Sequence, residues 1–408
     1  MTSRIREPGR RAEPGAAATL VLRAGREKSL LRRHPWVFSG AVDRVEGDPG
    51  TGETVAVRAA DGRFLAWAGY SPRSQIRARV WSFDEAESID AAFLRARIGA
   101  AAARRAGIAA STDAMRHVNG EADGLPGVVC DRYADVAVLQ LSSAGADRWR
   151  DAIADALIEA TGCSALYERS DLEVRDLEGL PAHAGALRGA PAGMVTIAEH
   201  GIRYRVDIAH GQKTGFYLDQ RASRDRIRAL AAGRDVLNAF CYTGGFSLNA
   251  LAGGARSVLS VDTSAAALEL ARANLALNGF DAARAEWWEA DVFQSLRDLR
   301  NAGRAFDLVV LDPPKFAPTV AHVARAARAY KDINLLALKL LRPGGLLATF
   351  SCSGGVAQDL FRKILAGAAT DAAVDAVVRE RFYADADHPV TLSFPEGEYL
   401  KGLLLEKR

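Results

Sequence analysis

The chain has 408 residues, 49% hydrophobic and 25% charged, which is more than one ordinary core and excludes disorder of the whole chain. A formal net charge of +3 is too small to imply a nucleic-acid partner by itself. No apolar run reaches membrane-spanning length and no leader-like segment opens the chain, while Cys130, Cys163, Cys241 and Cys352 are too dispersed for a zinc site or disulfide framework. A reducing cytoplasm, with no membrane and no metal, is the expectation.

Residues 1–33 carry nine Lys/Arg against the three acids Glu7, Glu13 and Glu27. Residues 1–18 read as a disordered basic arm, whereas for Arg23 to Arg33 a solvated face and a phosphate-facing role stand open. Residues 19–90 then read as short strands broken by Gly and Pro, among them Thr54–Arg58, Arg63–Tyr70 and Gln75–Trp81, which suggests a small β-barrel. Trp36, Trp67 and Trp81 are expected to supply much of its core. An Ala/Arg-rich helix over 90–105 opens a second, α+β unit. Strands follow at Gly127–Asp131 and Val136–Ser142, a helix at Asp147–Thr161, and a strand at Ala165–Arg169. The Gly/Pro/Ala-rich stretch Leu180–Gly193 reads as a linker or long loop.

A hairpin is expected where Met194–Ala198 and Arg203–Ile208 flank Glu199-His200-Gly201. From Asp235 onward, apolar strands alternate with amphipathic helices. The strands are Val236–Phe240, Val258–Val261, Ala285–Glu289, Leu308–Leu311 and Leu346–Phe350. That alternation predicts a parallel, doubly wound α/β sheet, in which ligands bind beyond the carboxyl ends of the strands.

Tyr242-Thr243-Gly244-Gly245 follows the first of these strands, where glycines let the backbone approach a ligand. Asp262 ends the second strand, suited to ribose hydroxyls, and Asp291 follows the third, suited to an adenine edge. The loop is neither Gly-x-Gly-x-x-Gly nor a Gly-Lys-Thr phosphate cradle. An adenosine cofactor without pyrophosphate, S-adenosylmethionine, fits best.

Asp312-Pro313-Pro314-Lys315-Phe316 follows strand four, leaving carbonyls and the Asp312 carboxylate to bind the exocyclic amine of a planar base, on which Phe316 is expected to stack. Cys352, flanked by Ser351 and Ser353, ends the neighbouring strand five. The polar flank suggests exposure, and a thiol there suits covalent addition to carbon 6 of cytosine, which activates carbon 5. Lys315 and the substrate's own protonation both stand as sources of thiol activation. The other cysteines read as core hydrophobes.

These residues resemble the 23S rRNA cytosine carbon-5 methyltransferases built from a PUA domain, a central α+β domain and a Rossmann-like class I methyltransferase domain. The likeness runs from Arg33-His34-Pro35-Trp36-Val37-Phe38-Ser39-Gly40 through Val118-Asn119-Gly120-Glu121-Ala122-Asp123-Gly124-Leu125-Pro126-Gly127 and Gly211-Gln212-Lys213-Thr214-Gly215-Phe216-Tyr217-Leu218-Asp219-Gln220-Arg221. It continues through the motifs above to Pro395-Glu396-Gly397. It implies a PUA-like RNA-binding domain over 19–90, a central domain over 91–190 and a methyltransferase domain over 191–408. It further implies Cys352 as nucleophile, Asp262, Asp291 and Asp312 lining the cofactor and base sites, and Phe216 and Gln220 near the methionine end of the cofactor. Some RNA cytosine methyltransferases assist release with a second cysteine beside the first proline of the strand-four motif, and Pro313-Pro314 leaves none here. The implied partner is 23S rRNA or a large-subunit assembly particle, with a homodimer compatible.

Two other readings compete. One is a methyltransferase acting on a ring nitrogen or exocyclic amine without Cys352; the other is an RNA-binding assembly factor with a vestigial catalytic domain.

Overall fold

Strand β1 (Thr19–Leu22) and helix α1 (Lys28–Leu31) are followed by β2 (Trp36–Phe38), β3 (Val42–Glu46), β4 (Thr54–Arg58), β5 (Phe64–Tyr70) and β6 (Ile76–Ser82). The computed structural model describes residues 18–317 and 322–408, so the arm expected over 1–18 lies, but for Ala18, outside the described residues. The six strands form one mixed sheet in the order β2-β6-β5-β4-β1-β3. Its core is made of small aliphatics such as Leu20, Leu22, Val37, Val55, Val57 and Val80. The three tryptophans do not fill it, contrary to expectation. Trp81 follows Val80 on the opposite face of the strand and packs into the neighbouring unit. Trp36 and Trp67 are half-buried, their indole N–H groups donating to Glu121 Oε1 at 2.8 Å and to the Glu85 carbonyl at 3.3 Å. A polar N–H keeps each ring out of the core, where it finds an acceptor.

Helix α2 (Ala91–Arg104) starts at Asp90, whose side chain accepts from the Phe93 N–H at 2.9 Å. A five-stranded sheet follows, with β7 (Ala114–Asn119), β8 (Val128–Tyr133), β9 (Val136–Leu141), β10 (Ala165–Ser170) and β11 (His183–Arg188) in the order β11-β10-β9-β8-β7. The single helix expected over 147–161 is two, α3 (Ala144–Arg148) and α4 (Arg150–Thr161), broken at Trp149. Helix α5 (Val174–Glu178) precedes β11. The stretch read as a linker therefore holds a strand. As an edge strand pairing only with β10, β11 shows no strong apolar pattern, and its ladder supplies the order that its composition hides.

The hairpin forms as expected from β12 (Met194–Glu199) and β13 (Ile202–Asp207), with both turn residues left-handed, His200 at φ 47° and Gly201 at φ 80°. Its inner face (Ile197, Ile202, Tyr204, Val206) shares one apolar cluster with Tyr133 and Val138 of the preceding sheet and with Val236, Phe246 and Leu248 of the next. The hairpin thus joins two units rather than closing a core of its own.

The last sheet is built from α6 (Arg221–Leu230), β14 (Asp235–Ala239), α7 (Gly245–Ala252), β15 (Ser257–Asp262), α8 (Ala265–Leu277), β16 (Ala285–Glu289) and α9 (Val292–Asn301). It continues with β17 (Phe306–Leu311), α10 (Val323–Leu340), β18 (Leu341–Ser351), α11 (Gln358–Ala372), β19 (Ala376–Phe382) and β20 (Lys401–Lys407). The strand order is β16-β15-β14-β17-β18-β20-β19. The first five are parallel, and β20 inserts antiparallel between β18 and β19. The order reverses between β14 and β17, which opens a crevice at their carboxyl ends. Among the described residues no helix is long and apolar enough to cross a membrane.

The segment 383–400, between β19 and β20, crosses the carboxyl end of this sheet and ties it to both others. Asp387 Oδ2 accepts from Arg221 Nη2 and from the Arg116 N–H, each at 2.9 Å, and the Asp387 carbonyl accepts from Arg105 at 3.1 Å. Phe394 packs edge-on against Trp36 with centroids 4.8 Å apart, and Glu396 meets His34 at 3.3 Å. Burial by itself would raise the Asp387 carboxyl, but His388 and Arg221 hold it well below the usual carboxylate range. Asp387→Ala leaves the buried Arg221 short of a counter-charge and the Arg116 N–H unpaired. It should cost about 3–5 kcal/mol, read as a lowered urea midpoint.

Candidate functional site

The turn after β14 is forced. Phe240 (φ 62°), Tyr242 (φ 48°) and Gly244 (φ 83°) are all left-handed. A Cβ on Gly244 would lie 3.1 Å from the Trp287 ring and 3.2 Å from Ala271 Cβ, and one on Gly245 3.0 Å from Arg224 Cδ. Protein therefore fills the space the missing side chains leave, and the glycines serve close packing of the loop. The Tyr242 N–H donates to Asp262 Oδ2 at 2.8 Å and the Ser264 N–H to Oδ1 at 3.0 Å. Each Asp262 oxygen keeps a second lone pair. Asp291 is exposed and caps α9, its Oδ1 accepting from the Gln294 N–H at 2.8 Å. Thr243 is buried, its hydroxyl without a partner.

Asp312 and Cys352 meet at the ends of the adjacent strands β17 and β18. Cys352 is half-buried, with Sγ 4.0 Å from the Pro313 carbonyl. Ser351 and Ser353 are fully buried, and the exposure expected of Cys352 from its polar flank is only partial. Alternation explains it: the serines turn to one side and the thiol to the other. Ser351 Oγ donates to the Tyr330 hydroxyl at 2.9 Å. Ser353 Oγ lies 3.0 Å from that hydroxyl and accepts from the Ala317 N–H at 3.1 Å. Tyr330 of α10 thus pins the turn after β18 to the Asp-Pro-Pro segment. Phe316 also serves this anchor rather than presenting a free stacking face. Its half-buried ring packs against Tyr330, Phe293 and Phe240 at 4.9, 5.9 and 6.3 Å. Lys401 lies behind the same turn, buried, with Nζ donating to the Ser353 carbonyl at 3.0 Å.

Burial, reinforced by the charge of Asp219, pushes the Asp312 carboxyl up to about 7 against the pull of Lys213 and Gln220. Burial and then the Asp312 charge push the Cys352 thiol up, with Lys213 and Lys315 opposing. Each group resists the other's ionisation.

The segment 211–220 closes over this pair. Phe216 is buried against Tyr204 at 5.0 Å and under Arg224 at 4.6 Å. Gln220 is buried with its amide against Asp312, whose carboxyl it pulls down. Thr214 Oγ1 donates to Asp131 Oδ2 at 2.5 Å, and the Phe216 N–H donates to the Tyr133 hydroxyl at 3.1 Å, so the preceding sheet holds the segment. Three residues here escaped the sequence reading: Lys213 (φ 54°), Asp219, paired to Lys213 at 2.8 Å, and Tyr217, half-buried between Lys213 and Tyr242. The run of charged and aromatic residues in Gly211–Arg221 was their signal, but only contact with Asp312 gives it meaning.

A family model for S-adenosylmethionine-dependent methyltransferases matches residues 178–391, and one for PUA-like domains matches residues 20–83. A solved S-adenosylmethionine-dependent methyltransferase from Streptococcus mutans superposes with TM-score 0.81 at 24% identity, covering 95% of this chain and 99% of that one. A methyltransferase complexed with S-adenosylhomocysteine superposes with TM-score 0.83 at 24% identity over the same shares. The fold and its crevice therefore define an S-adenosylmethionine-dependent methyltransferase with an N-terminal PUA-like domain. Among curated proteins, ribosomal RNA large subunit methyltransferase I of Erwinia tasmaniensis is 53% identical over 94% of this chain and 98% of its own length. The Klebsiella pneumoniae protein of the same name is 52% identical over 94% and 96%. The chain belongs to the ribosomal RNA large subunit methyltransferase I family.

Cys352 is partly accessible, while Cys130, Cys163 and Cys241 are buried. A raised thiol pKa means a neutral thiol at pH 7 and a thiolate only at higher pH. In the free protein, iodoacetamide should therefore alkylate Cys352 slowly at neutral pH and quickly only above its ordinary value of 9.0, as read by peptide mass spectrometry. A rate that already levels off below that value would show a thiolate stabilised before substrate arrives.

Proposed function

We propose that the chain methylates carbon 5 of a cytosine in 23S rRNA, free or within an assembling large subunit in the cytoplasm, through a covalent adduct to Cys352. The relatives' names supply the RNA substrate. The observation that carries the chemistry is the thiol turned toward the Pro313 carbonyl beside Asp312, while both flanking serines turn away. A methyltransferase acting on a base nitrogen has no use for that thiol.

Carbon 5 of cytosine is a poor nucleophile until a thiolate adds to carbon 6. In this step the bond from Cys352 Sγ to carbon 6 forms. The C5=C6 π pair moves into C4–C5, and the C4=N3 pair settles on N3, which takes a proton. Asp312 is suited to this exchange: a carboxyl near pH 7 takes the thiol's proton and passes it to N3, and its protonation removes the charge that held the thiol up. S-adenosylmethionine supplies an electrophilic methyl group to the activated carbon 5. With carbon 5 methylated by its C4=C5 pair and C4=N3 restored, a water takes the carbon-5 proton, that C–H pair reforms C5=C6, the carbon–sulfur pair returns to Cys352, and N3 returns its proton to Asp312.

The residues fit that cofactor. Asp262 has free lone pairs for ribose, and Asp291 Oδ2, with the start of α9, faces an adenine edge. Tyr242, Thr243 and Gly244 would form the floor, with Phe216 beside Gly245 and the Gln220 amide, against Asp312, toward the methionine end.

Asp262→Ala removes charge-assisted hydrogen bonds worth roughly 1.5–3 kcal/mol. Affinity for S-adenosylmethionine should drop about tenfold to hundredfold by calorimetry, and an unchanged value would misplace the ribose. Cys352→Ala should abolish methyl transfer while cofactor and RNA still bind. The natural protein should form a denaturant-resistant adduct with RNA carrying 5-fluorocytosine, whose fluorine cannot leave as a proton does, and the variant should not. Substantial turnover by Cys352→Ala would favour nitrogen methylation instead.

A further inference from the structure

Tyr217 stands between the cofactor turn and the acid–thiol pair, and nothing in the scheme above uses it. Its ring is fixed. The Lys213 ammonium lies 4.6 Å from its centroid, the Tyr242 ring meets it edge-on at 5.4 Å, and its backbone carbonyl accepts from Arg224 Nη1 at 2.6 Å. Lys213 is in turn pinned by Asp219 at 2.8 Å. The hydroxyl is different. It makes no hydrogen bond to the described residues, although every other buried or half-buried tyrosine hydroxyl around it is engaged: Tyr133 with Thr214, Tyr242 with Gly215, Tyr330 with Ser351, and Tyr399 with Asp219.

We propose that the Tyr217 hydroxyl donates a hydrogen bond to the O2 carbonyl of the target cytosine and stabilises the negative charge that develops there when Cys352 adds to carbon 6. This rests on the cytosine reading above. O2 and N3 share one amide-like system, so the electron pair displaced onto N3 is partly borne by O2. Asp312 serves N3, and a second donor beside it is needed at O2. A neutral phenol fixed in a drying pocket meets that need without reorganising as charge appears. Burial and then the charges of Asp312, Tyr242 and Cys352 push its ionisation up, so it stays a donor whenever the thiol is a nucleophile. Asp312 and Cys352 are among the charges that act on the phenol, and its ring is wedged between Lys213 and the cofactor-turn Tyr242 on their side of segment 211–220.

The test is Tyr217→Phe in the full chain, which keeps the ring contacts with Lys213 and Tyr242 and deletes one oxygen. With a large-subunit rRNA transcript, kcat should fall about 10²–10³-fold, as for loss of one oxyanion donor. Calorimetric affinity for S-adenosylmethionine and RNA affinity should be unchanged. A second arm replaces cytidine in the transcript by 2-thiocytidine, whose sulfur accepts hydrogen bonds poorly. The natural protein should lose rate on it, and Tyr217→Phe should lose little more. Wild-type kcat in Tyr217→Phe, a full additional loss on 2-thiocytidine, or weakened cofactor binding would each overturn the assignment. Cys352→Ala is run alongside: turnover by that variant breaks the covalent reading itself, whatever Tyr217→Phe does.

Discussion

Asp312 and Cys352 end neighbouring parallel strands in a place where burial raises both groups and the Asp312 charge raises the thiol further. Water is partly excluded there, so each ionisation costs more while the other persists. The surrounding architecture maintains that condition. Tyr330 and the two serines hold the thiol's turn against the Asp-Pro-Pro segment, and segment 211–220 lies over the pair, carrying one cation, Lys213, and one anion, Asp219. The pair at the strand ends is left coupled, so that in the proposed reaction one proton serves both thiol activation and N3.

The covering segment cannot hold itself. Its contacts run outward to the middle sheet, from Thr214 to Asp131 and from Phe216 to Tyr133, with Asp131 clamped by Arg116 at 2.8 and 2.9 Å. Arg116 is tied through its backbone to Asp387, and Asp387 to Arg221 at the start of α6. Buried ion pairs of this kind add little net stability over apolar packing, but they fix positions sharply, because any misalignment leaves a charge unpaired. The middle sheet is therefore part of the catalytic scaffold as well as a spacer. Segment 383–400 extends the same coupling to the first sheet through His34 and Trp36.

Much of this was legible in the chain. Local pattern gave β16 to the residue, placed the hairpin turn within Glu199-His200-Gly201, and set Cys352 at the end of a strand beside Asp312. Periodicity and turn chemistry are local, so they survive without knowledge of neighbours. What went astray depended on neighbours. The edge strand His183–Arg188 takes its order from β10, and β20 inserts between two strands that precede it. The tryptophans go where acceptors lie, and Phe316 packs into an aromatic cluster.

The sequence by itself therefore determined the doubly wound sheet and the chemical types gathered at its carboxyl ends, because strand alternation and a thiol beside Asp-Pro-Pro are written residue by residue. Only the tertiary structure decided which face of the last turn carries the thiol. It alone also decided that Ser351 and Ser353 are anchors, that the Tyr217 ring is held between Lys213 and Tyr242, and that the middle sheet holds segment 211–220. Burial, pairing and the coupling of two ionisations are properties of residues brought together from distant parts of the chain, and no local pattern encodes them.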